Sequence, residues 1–336
     1  MQQRLVDSWN HRGALTWLLR PVSWLYGALV ALRKGLYRRG VLRPQRVNVP
    51  VIVVGNVVAG GAGKTPAVLA IVRHLLQQGR QVGIVSRGHG RRDAGCRQVL
   101  PGSAPEEVGD EPLMLHRATG VPVFVARQRI DAARALLLLH PAVDVLVCDD
   151  GLQHLQLHRD IEICVFDRRG AGNGCLLPAG PLREPWPRPV DLILADASLA
   201  LPQSWGMRRS LSGWARRADD HRIPLEALAA TPAWAVAGIA RPQPFFDMLR
   251  DAGLRLSGTT ALPDHASFAG LEPPVRNAEV LVCTEKDAVK LWAIRPDAWA
   301  VPLELDIAPG FWERLDTLLQ ARGGARLSSR HGYTTA

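Results

Sequence analysis

A glycine-rich loop between an apolar run and a helical pattern constrains the fold of this chain more than any other feature. Residues 49–55 (VPVIVVG) are mostly β-branched and end in glycine, which is typical of a buried strand. The loop at 55–65 (GNVVAGGAGKT) follows, and after Pro66 an apolar helical pattern extends to about Gln78. A phosphate-binding loop requires this order of strand, glycine loop and helix. The sequence therefore predicts a nucleotide site at 55–65.

The residue types in this loop suit phosphate groups. Glycines let backbone amides converge on an anion, and the amino end of the following helix adds its dipole. Lys64 is expected to reach the β and γ phosphate oxygens, and the Thr65 hydroxyl is expected to bind Mg²⁺. The residues expected to contact the nucleotide are Val58, Ala59, Gly60, Gly61, Ala62, Gly63, Lys64 and Thr65.

The loop departs from the commonest phosphate-loop pattern at one position. The pattern G-x-x-x-x-G-K-[ST] has glycine where this chain has Val58. The spacing at 60–65 (GGAGKT) resembles instead the variant loops of the partitioning-ATPase and dethiobiotin-synthetase branch of P-loop proteins.

Two adjacent acids follow another predicted strand. Residues 143–148 (VDVLVC) are apolar enough to be buried, and Asp149 and Asp150 come directly after them. Two carboxylates at a strand end are costly unless a cation or hydrogen-bond donors face them. We therefore expect these acids to hold the metal ion of the nucleotide site.

The chain from 47 to about 200 alternates strands and helices. Strands are predicted at 82–86, 121–125, 143–148, 161–166 and 190–195, with helix-like stretches such as 130–139 between them. This alternation predicts a parallel, doubly wound α/β sheet.

The second half has weaker periodicity, but it also predicts an α/β arrangement. Residues 231–238, 244–253 and 279–283 indicate strand, helix and strand, and 284–287 (TEKD) indicates a polar loop. We predict consecutive parts: an N-terminal segment at 1–46, a P-loop domain at 47–200, a smaller lobe at 201–325 and a flexible tail at 326–336.

Basic charge is concentrated in the first fifty residues. The formal net charge of the chain is +10, and these fifty residues contain nine basic residues and one acid. Residues 14–32 are largely apolar, but their longest uncharged stretch, 21–32, is shorter than the roughly 20 residues that cross a bilayer. This pattern favours a helix lying on an anionic membrane surface, and we expect no nucleic-acid partner. An ordinary packing helix remains the alternative.

A series of short motifs runs along nearly the whole chain. They are the loop at 55–66, SRG at 86–88, GDEP at 109–112, DDGLQH at 149–154, RD at 159–160, GNG at 172–174, LPAGPLRE at 177–184, GIA at 238–240, DH at 264–265 and TEKD at 284–287. This ordered set resembles the tetraacyldisaccharide 4'-kinase family, the lipid A 4'-kinases of Gram-negative bacteria.

The resemblance implies a reaction and a place for it. The γ-phosphate of ATP would pass, with Mg²⁺ as cofactor, to the 4'-hydroxyl of a tetraacylated glucosamine disaccharide 1-phosphate during lipid A synthesis. The enzyme would act at the cytoplasmic face of the inner membrane without an obligate protein partner. The implied fold is a P-loop NTPase-like, mainly parallel sheet with a smaller α/β lobe and an N-terminal membrane-surface helix.

The resemblance also assigns roles to residues. It implies that Asp110, in a stretch (105–112) whose pattern predicts a loop, is the catalytic base, and that His265 is its partner. The implied metal carboxylates are Asp149, Asp150 and Glu184, and the implied phosphate ligands are Arg129 and Arg183. The family usually has tyrosine where this chain has His89, so an aromatic stacking role does not carry over to that position.

Two other functions are compatible with the phosphate loop taken alone. One is a membrane-anchored ATPase or GTPase switch without a small-molecule acceptor. The other is a soluble ligase of the dethiobiotin-synthetase type, which would leave the amphiphilic segment without a role.

Overall fold

The computed structural model describes residues 8–9, 11–60, 63–264, 266, 268, 270 and 279–330. His265, Gly61 and Ala62 of the predicted site, and the end of the predicted tail, lie outside the described residues. The helices are α1 (Ala14–Arg38), α2 (Lys64–Gln77), α3 (Pro105–Val108), α4 (Asp110–Thr119), α5 (Arg129–Leu139), α6 (Gln243–Asp251), α7 (Glu285–Leu291) and α8 (Pro309–Arg330).

The strands follow the same chain order. They are β1 (Val51–Gly55), β2 (Val82–Ser86), β3 (Arg97–Val99), β4 (Val123–Val125), β5 (Val145–Asp149), β6 (Ile161–Phe166), β7 (Leu192–Asp196), β8 (Trp205–Leu211), β9 (Trp214–Arg216), β10 (Arg222–Pro224), β11 (Ala233–Ala237), β12 (Leu256–Ala261), β13 (Val280–Thr284), β14 (Trp299–Val301) and β15 (Leu303–Ile307).

The chain forms two compact units, and each takes residues from separate segments. The first unit draws on Met1–Arg87, Val121–Arg208 and Ile307–Ala336, and the second on Gly88–Gly120 and Arg209–Asp306. The sequence predicts consecutive domains instead, with all of 47–200 in one of them. Local patterns do not reveal that the segment after β2 belongs with residues far downstream.

Parallel strand pairing builds the core of the first unit. The order is β8-β7-β6-β1-β5-β2-β4, and every neighbouring pair in it is parallel. Strands β1, β2 and β5 are buried at all their positions, as expected for a sheet that is covered on both faces. The predicted doubly wound α/β architecture is confirmed. Because the strands are parallel, their carboxyl ends share one edge, where Val54 pairs with Asp149.

The second unit contains a smaller sheet with the order β10-β9-β14-β13-β11-β12. Its central strands β14, β13, β11 and β12 are parallel, and β9 is antiparallel to its neighbours β10 and β14. The predicted strand, helix and strand of the second half correspond to β11, α6 and β13.

Two stretches predicted as loops are helical. Residues 284–287 end β13 and begin α7, and Thr284 caps this helix by accepting a hydrogen bond from the Asp287 amide at 3.1 Å. Residues 105–112 form α3 and the start of α4, separated by Gly109 at φ +92°. A Cβ at Gly109 would lie 2.9 Å from the His89 carbonyl oxygen, so both the angle and the space favour glycine.

Helix α1 is longer than the uncharged stretch suggested. It continues through Arg20 and Pro21 for 25 residues, and the Arg20 guanidinium lies 4.3 Å from the Trp17 ring centre. By length and composition alone, a helix like this is long and apolar enough to cross a membrane. The expectation that this segment is too short to cross a bilayer rested only on its uncharged stretch, 21–32.

Candidate active site

The phosphate loop leads directly into α2. Gly63 adopts the left-handed conformation at φ +83°, and the helix begins at Lys64. The Asn56 side chain donates to the Gly60 carbonyl at 3.4 Å, and Lys64 Nζ lies 3.5 Å from Asn56 Oδ1. Both contacts are long for hydrogen bonds, so they hold the lysine only weakly.

The first half of this loop pairs with the segment that precedes Glu184. The Ala59 amide donates to the Pro181 carbonyl at 2.7 Å, and the Arg183 amide donates to the Val57 carbonyl at 2.7 Å. Val58 lies opposite Leu182 and is only 2% exposed. The chain therefore has a core valine where the commonest loop pattern has glycine. Nucleotide contact at Val58 and Ala59 stays a prediction. The Ala59 amide already donates its hydrogen to the Pro181 carbonyl.

The two adjacent acids occupy different environments. Asp149 is buried at the end of β5, where its Oδ2 accepts a hydrogen bond from Ser86 at 3.3 Å. Asp150 has a positive φ of 46° and lies 3.2 Å from Arg183 Nη1 and 3.8 Å from Lys64 Nζ. Burial alone would raise the pKa of Asp150, but Lys64 and Arg183 hold this pKa below its ordinary value. Asp150 is therefore ionised at neutral pH.

Arg129 begins α5 and supports the backbone beside Asp150. Its Nη2 donates to the Asp150 carbonyl at 2.8 Å, and its amide donates to His154 Nε2 at 3.2 Å. Burial, with Arg129 and Arg159 nearby, lowers the pKa of His154 to about 3. The imidazole is therefore neutral at physiological pH and can accept the Arg129 amide hydrogen.

Glu184 is almost fully buried, at 1% exposure, and is surrounded by donors. Lys34 of α1 contacts its Oε2, Arg188 Nε lies 3.3 Å from the same oxygen, and Gln153 donates to Oε1 at 2.8 Å. The Gln153 amide also donates to the Asn56 carbonyl at 2.9 Å. A chain of contacts thus leads from α1 to the phosphate loop. Sequence reasoning missed Lys34, although the rarity of lysine was a usable signal.

The four predicted metal residues do not form a ready-made cage. Within the described ranges, no group of three or more histidine, cysteine, aspartate or glutamate side chains could hold a metal ion. Thr65 lies in the first turn of α2, Asp149 ends β5 and Asp150 follows it. Glu184 contacts the cations of Lys34 and Arg188.

A second cluster of charges lies in the second unit, where α4 packs against α7. Asp110 is the first residue of α4 and is only 6% exposed, and Lys290 Nζ lies 2.6 Å from its Oδ2. Lys286 Nζ lies 2.9 Å from Asp264 and 3.4 Å from Glu111. Burial alone would lower the pKa of Lys286, but these two acids hold this pKa above its ordinary value.

Asp110 was expected in a loop-like stretch, and the structure places it at a helix start instead. Its predicted partner His265 is outside the described residues, but both neighbours of this histidine are described. Lys286 contacts Asp264, and Lys290 donates to the Ala266 carbonyl at 3.3 Å.

Comparison with known proteins finds similar chains over nearly the whole length of this one. The family model described as tetraacyldisaccharide-1-P 4'-kinase matches residues 15–320. A tetraacyldisaccharide 4'-kinase of Acidovorax ebreus is 56% identical over 322 residues and covers 95% of each chain. One of Polaromonas naphthalenivorans is 52% identical over 344 residues and covers both chains completely.

A solved structure is also similar. The crystal structure of LpxK from Aquifex aeolicus in complex with ATP has a TM-score of 0.81 and 28% sequence identity to this chain. The match covers 92% of this chain and 99% of the other.

Proposed function

The chain belongs to the tetraacyldisaccharide-1-phosphate 4'-kinase family and is an ATP-dependent lipid A 4'-kinase, and on this premise we propose roles for its own residues. The observation that carries these roles is the separation of charge between two clusters. Lys64, Arg183 and Arg129 surround the phosphate loop and Asp150, whereas Asp110 begins a helix in an acid-rich cluster. The comparisons do not support a P-loop switch without a small-molecule acceptor.

The phosphate loop binds the triphosphate of ATP through the backbone of residues 60–65 and the ammonium of Lys64. The contacts of Lys64 with Asn56 and Asp150 are 3.5 and 3.8 Å long, so the ammonium loses little when it turns toward phosphate oxygens. Arg183 adds a second cation beside Asp150, and its planar guanidinium suits paired phosphate oxygens. Arg129 fixes the backbone that presents Asp150.

Thr65 and the acid pair fit a magnesium ion that arrives with ATP. A hydroxyl and carboxylates are the hard oxygen donors that Mg²⁺ prefers, and Mg²⁺ usually keeps several waters and substrate oxygens as ligands. Thr65 and Asp149 are therefore the residues that hold it, with Asp150 beside them. When held there, Mg²⁺ would supply positive charge to the phosphate oxygens. Glu184 fits a supporting role better, because Lys34 and Arg188 already neutralise it.

Asp110 accepts the proton of the 4'-hydroxyl. A sugar hydroxyl is almost fully protonated at neutral pH, so a carboxylate must take its proton as the new P–O bond forms. The buried Asp110 carboxylate is held 2.6 Å from the Lys290 ammonium. His265 is its proposed partner through the DH motif at 264–265.

Helix α1 attaches the enzyme to the cytoplasmic face of the inner membrane. One of its faces bonds to the first unit, with Ser23 donating to the Leu176 carbonyl and Tyr26 donating to the Arg183 carbonyl. The other face exposes large apolar side chains, with Leu18 74% exposed. These residues are Leu15, Trp17, Leu18, Val22, Trp24, Leu25, Leu29 and Leu32.

The exposed stripe is followed by basic residues, which is the composition of an interfacial anchor. Arg33, Arg38, Arg39 and Arg43 are exposed around the end of α1. Apolar side chains enter the acyl region while the cations meet anionic headgroups. Because the opposite face of α1 bonds to protein, we propose that the helix lies on the membrane and does not span it. This placement gives the enzyme access to an acylated substrate.

The test is a reaction with purified chain, ATP and the acylated disaccharide 1-phosphate, with no second protein added. We expect ADP release that depends on the acceptor, a product phosphorylated at the 4' position, and loss of turnover with EDTA that Mg²⁺ restores. Hydrolysis of ATP at the same rate without acceptor would contradict the proposal.

A further inference from the structure

Lysine is rare in this chain, and every lysine contacts a carboxylate. Of 41 basic residues only Lys34, Lys64, Lys286 and Lys290 are lysines. Their partners include Glu184, Asp150, Asp264 and Asp110, in the same order. Two of the four lie one turn apart on α7, on the same side of the helix.

These two lysines make the same kind of bridge. Lys290 joins the Asp110 carboxylate at 2.6 Å to the Ala266 carbonyl at 3.3 Å. Lys286 joins Glu111 at 3.4 Å to Asp264 at 2.9 Å. Lys286 therefore links the first turn of α4 to Asp264, and Lys290 links it to Ala266. An ammonium has three donors, so it can serve two acceptors at once.

Residues of the TEKD motif (284–287) fix the start of α7, the helix that carries Lys286 and Lys290. Thr284 caps α7, and Asp287 Oδ2 accepts the Gly238 amide at 2.9 Å. Glu285 accepts a hydrogen bond from Arg216 at 2.8 Å. The first turn of α7 is thus fixed at three points. Lys290 therefore projects from a helix that is held in place, which a residue that orients another group requires.

We infer that Lys290 is a positioning residue for the catalytic carboxylate of Asp110. The inference rests on the proposed role of Asp110 as general base. Lys290 contacts Oδ2 and donates to the Ala266 carbonyl, so the orientation of the carboxylate toward the acceptor hydroxyl depends on it. A proton acceptor must be within hydrogen-bond reach of the hydroxyl, and small misplacements reduce its efficiency greatly.

The main experiment compares Lys290→Met with Lys290→Arg in the full chain at saturating ATP and Mg²⁺. Loss of the ammonium is expected to lower kcat by about 10-fold to 10²-fold and to leave the KM for ATP unchanged. Lys290→Arg retains the charge and is expected to recover much of kcat. The matched control is Arg250→Met, which removes an exposed ion pair with Asp247 in the same unit. This control is expected to have wild-type kinetics.

A double-mutant cycle with Asp110→Asn separates positioning from a merely structural role. If Lys290 acts through Asp110, Lys290→Met changes kcat less than about twofold in the Asp110→Asn background, because residues that act as a unit are not additive. Effects that multiply in the double variant overturn the inference. A wild-type kcat for Lys290→Met, together with loss of activity in Asp110→Asn, also overturns the inference.

If the proposed role of Asp110 as general base is wrong, the kinetics differ in another way. A wild-type kcat for Asp110→Asn overturns the general-base assignment, and this inference with it. Melting curves are recorded for each variant. If Lys290→Met does not fold, Lys290→Gln replaces it, because glutamine keeps hydrogen-bond donors without the charge. The same kinetic outcomes then support or overturn the inference.

Discussion

The two charged clusters of this protein have opposite balances. In the first unit, five cations lie around two carboxylates: Lys64, Arg129 and Arg183 lie beside Asp150, and Lys34 and Arg188 contact Glu184. In the second unit, Lys286 and Lys290 contact the three carboxylates of Asp110, Glu111 and Asp264. An excess of cations suits the polyanionic phosphates of ATP, whereas an excess of carboxylates suits a group that takes up a proton.

The clusters also differ in the backbone that carries them. The first is built on loops after parallel strands, at the edge where such sheets bind ligands. The second is built on the start of α4 and on both turns of α7, which are short helices; Thr284 caps α7, and ion pairs join it to α4. The following variants test whether the first cluster binds nucleotide and the second takes up the proton.

The largest effect is expected for Lys64→Ala. Phosphoryl transfer should fall below detection because this ammonium neutralises the β and γ phosphates. The melting temperature should stay near wild type, because the contacts of Lys64 with protein are long. Turnover assays and melting curves check this, with the exposed Arg134→Ala as control. A stable variant with undiminished turnover would remove Lys64 from the active site.

Asp110→Asn should have a large effect of a different kind. Loss of a general base lowers kcat by about 10² to 10⁴, and ATP affinity should hardly change. Steady-state kinetics with each substrate varied in turn check this, and Asp251→Asn on the surface of α6 is the control. A variant whose only defect is weaker nucleotide binding would place Asp110 with the metal ligands and remove the contrast between the clusters.

Lys34→Met should have a moderate effect. Without this cation Glu184 loses a partner, and the path through Gln153 to the Asn56 carbonyl is loosened. We expect kcat/KM for ATP to fall about 10-fold. Arg38→Met removes the same charge from an exposed position of α1 and is the matched control. Equal effects from both variants would mean that only the charge of the helix matters.

The smallest effect is expected at the membrane surface. Replacing Arg38 or Arg39 by glutamine should weaken binding to anionic vesicles by about 1 kcal/mol each. The difference should vanish at high salt, because the screening length falls from about 10 Å at 0.1 M to about 3 Å at 1 M. Co-sedimentation with vesicles of varied charge measures this. Binding that ignores both lipid charge and salt would contradict an electrostatic anchor.

Much of the first unit could be predicted from local patterns. The strands predicted at 82–86 and 161–166 have these limits in the structure, and α2 follows the glycine loop as expected. The second cluster was harder, because α7 has seven residues and α4 ten, too few for a clear helical period. Thr284 as a helix cap is the usable signal in TEKD, although the motif by itself predicts a loop.

The parallel sheet, the glycine loop and the family could be inferred from the residues alone, because alternating strands and helices and ordered motifs are local properties of the chain. The partners of the charged residues depend on the folded arrangement. Lys34 and Glu184 are 150 residues apart, and Val58 is buried because it pairs with Leu182. Such contacts depend on how distant segments pack, and no local pattern encodes them.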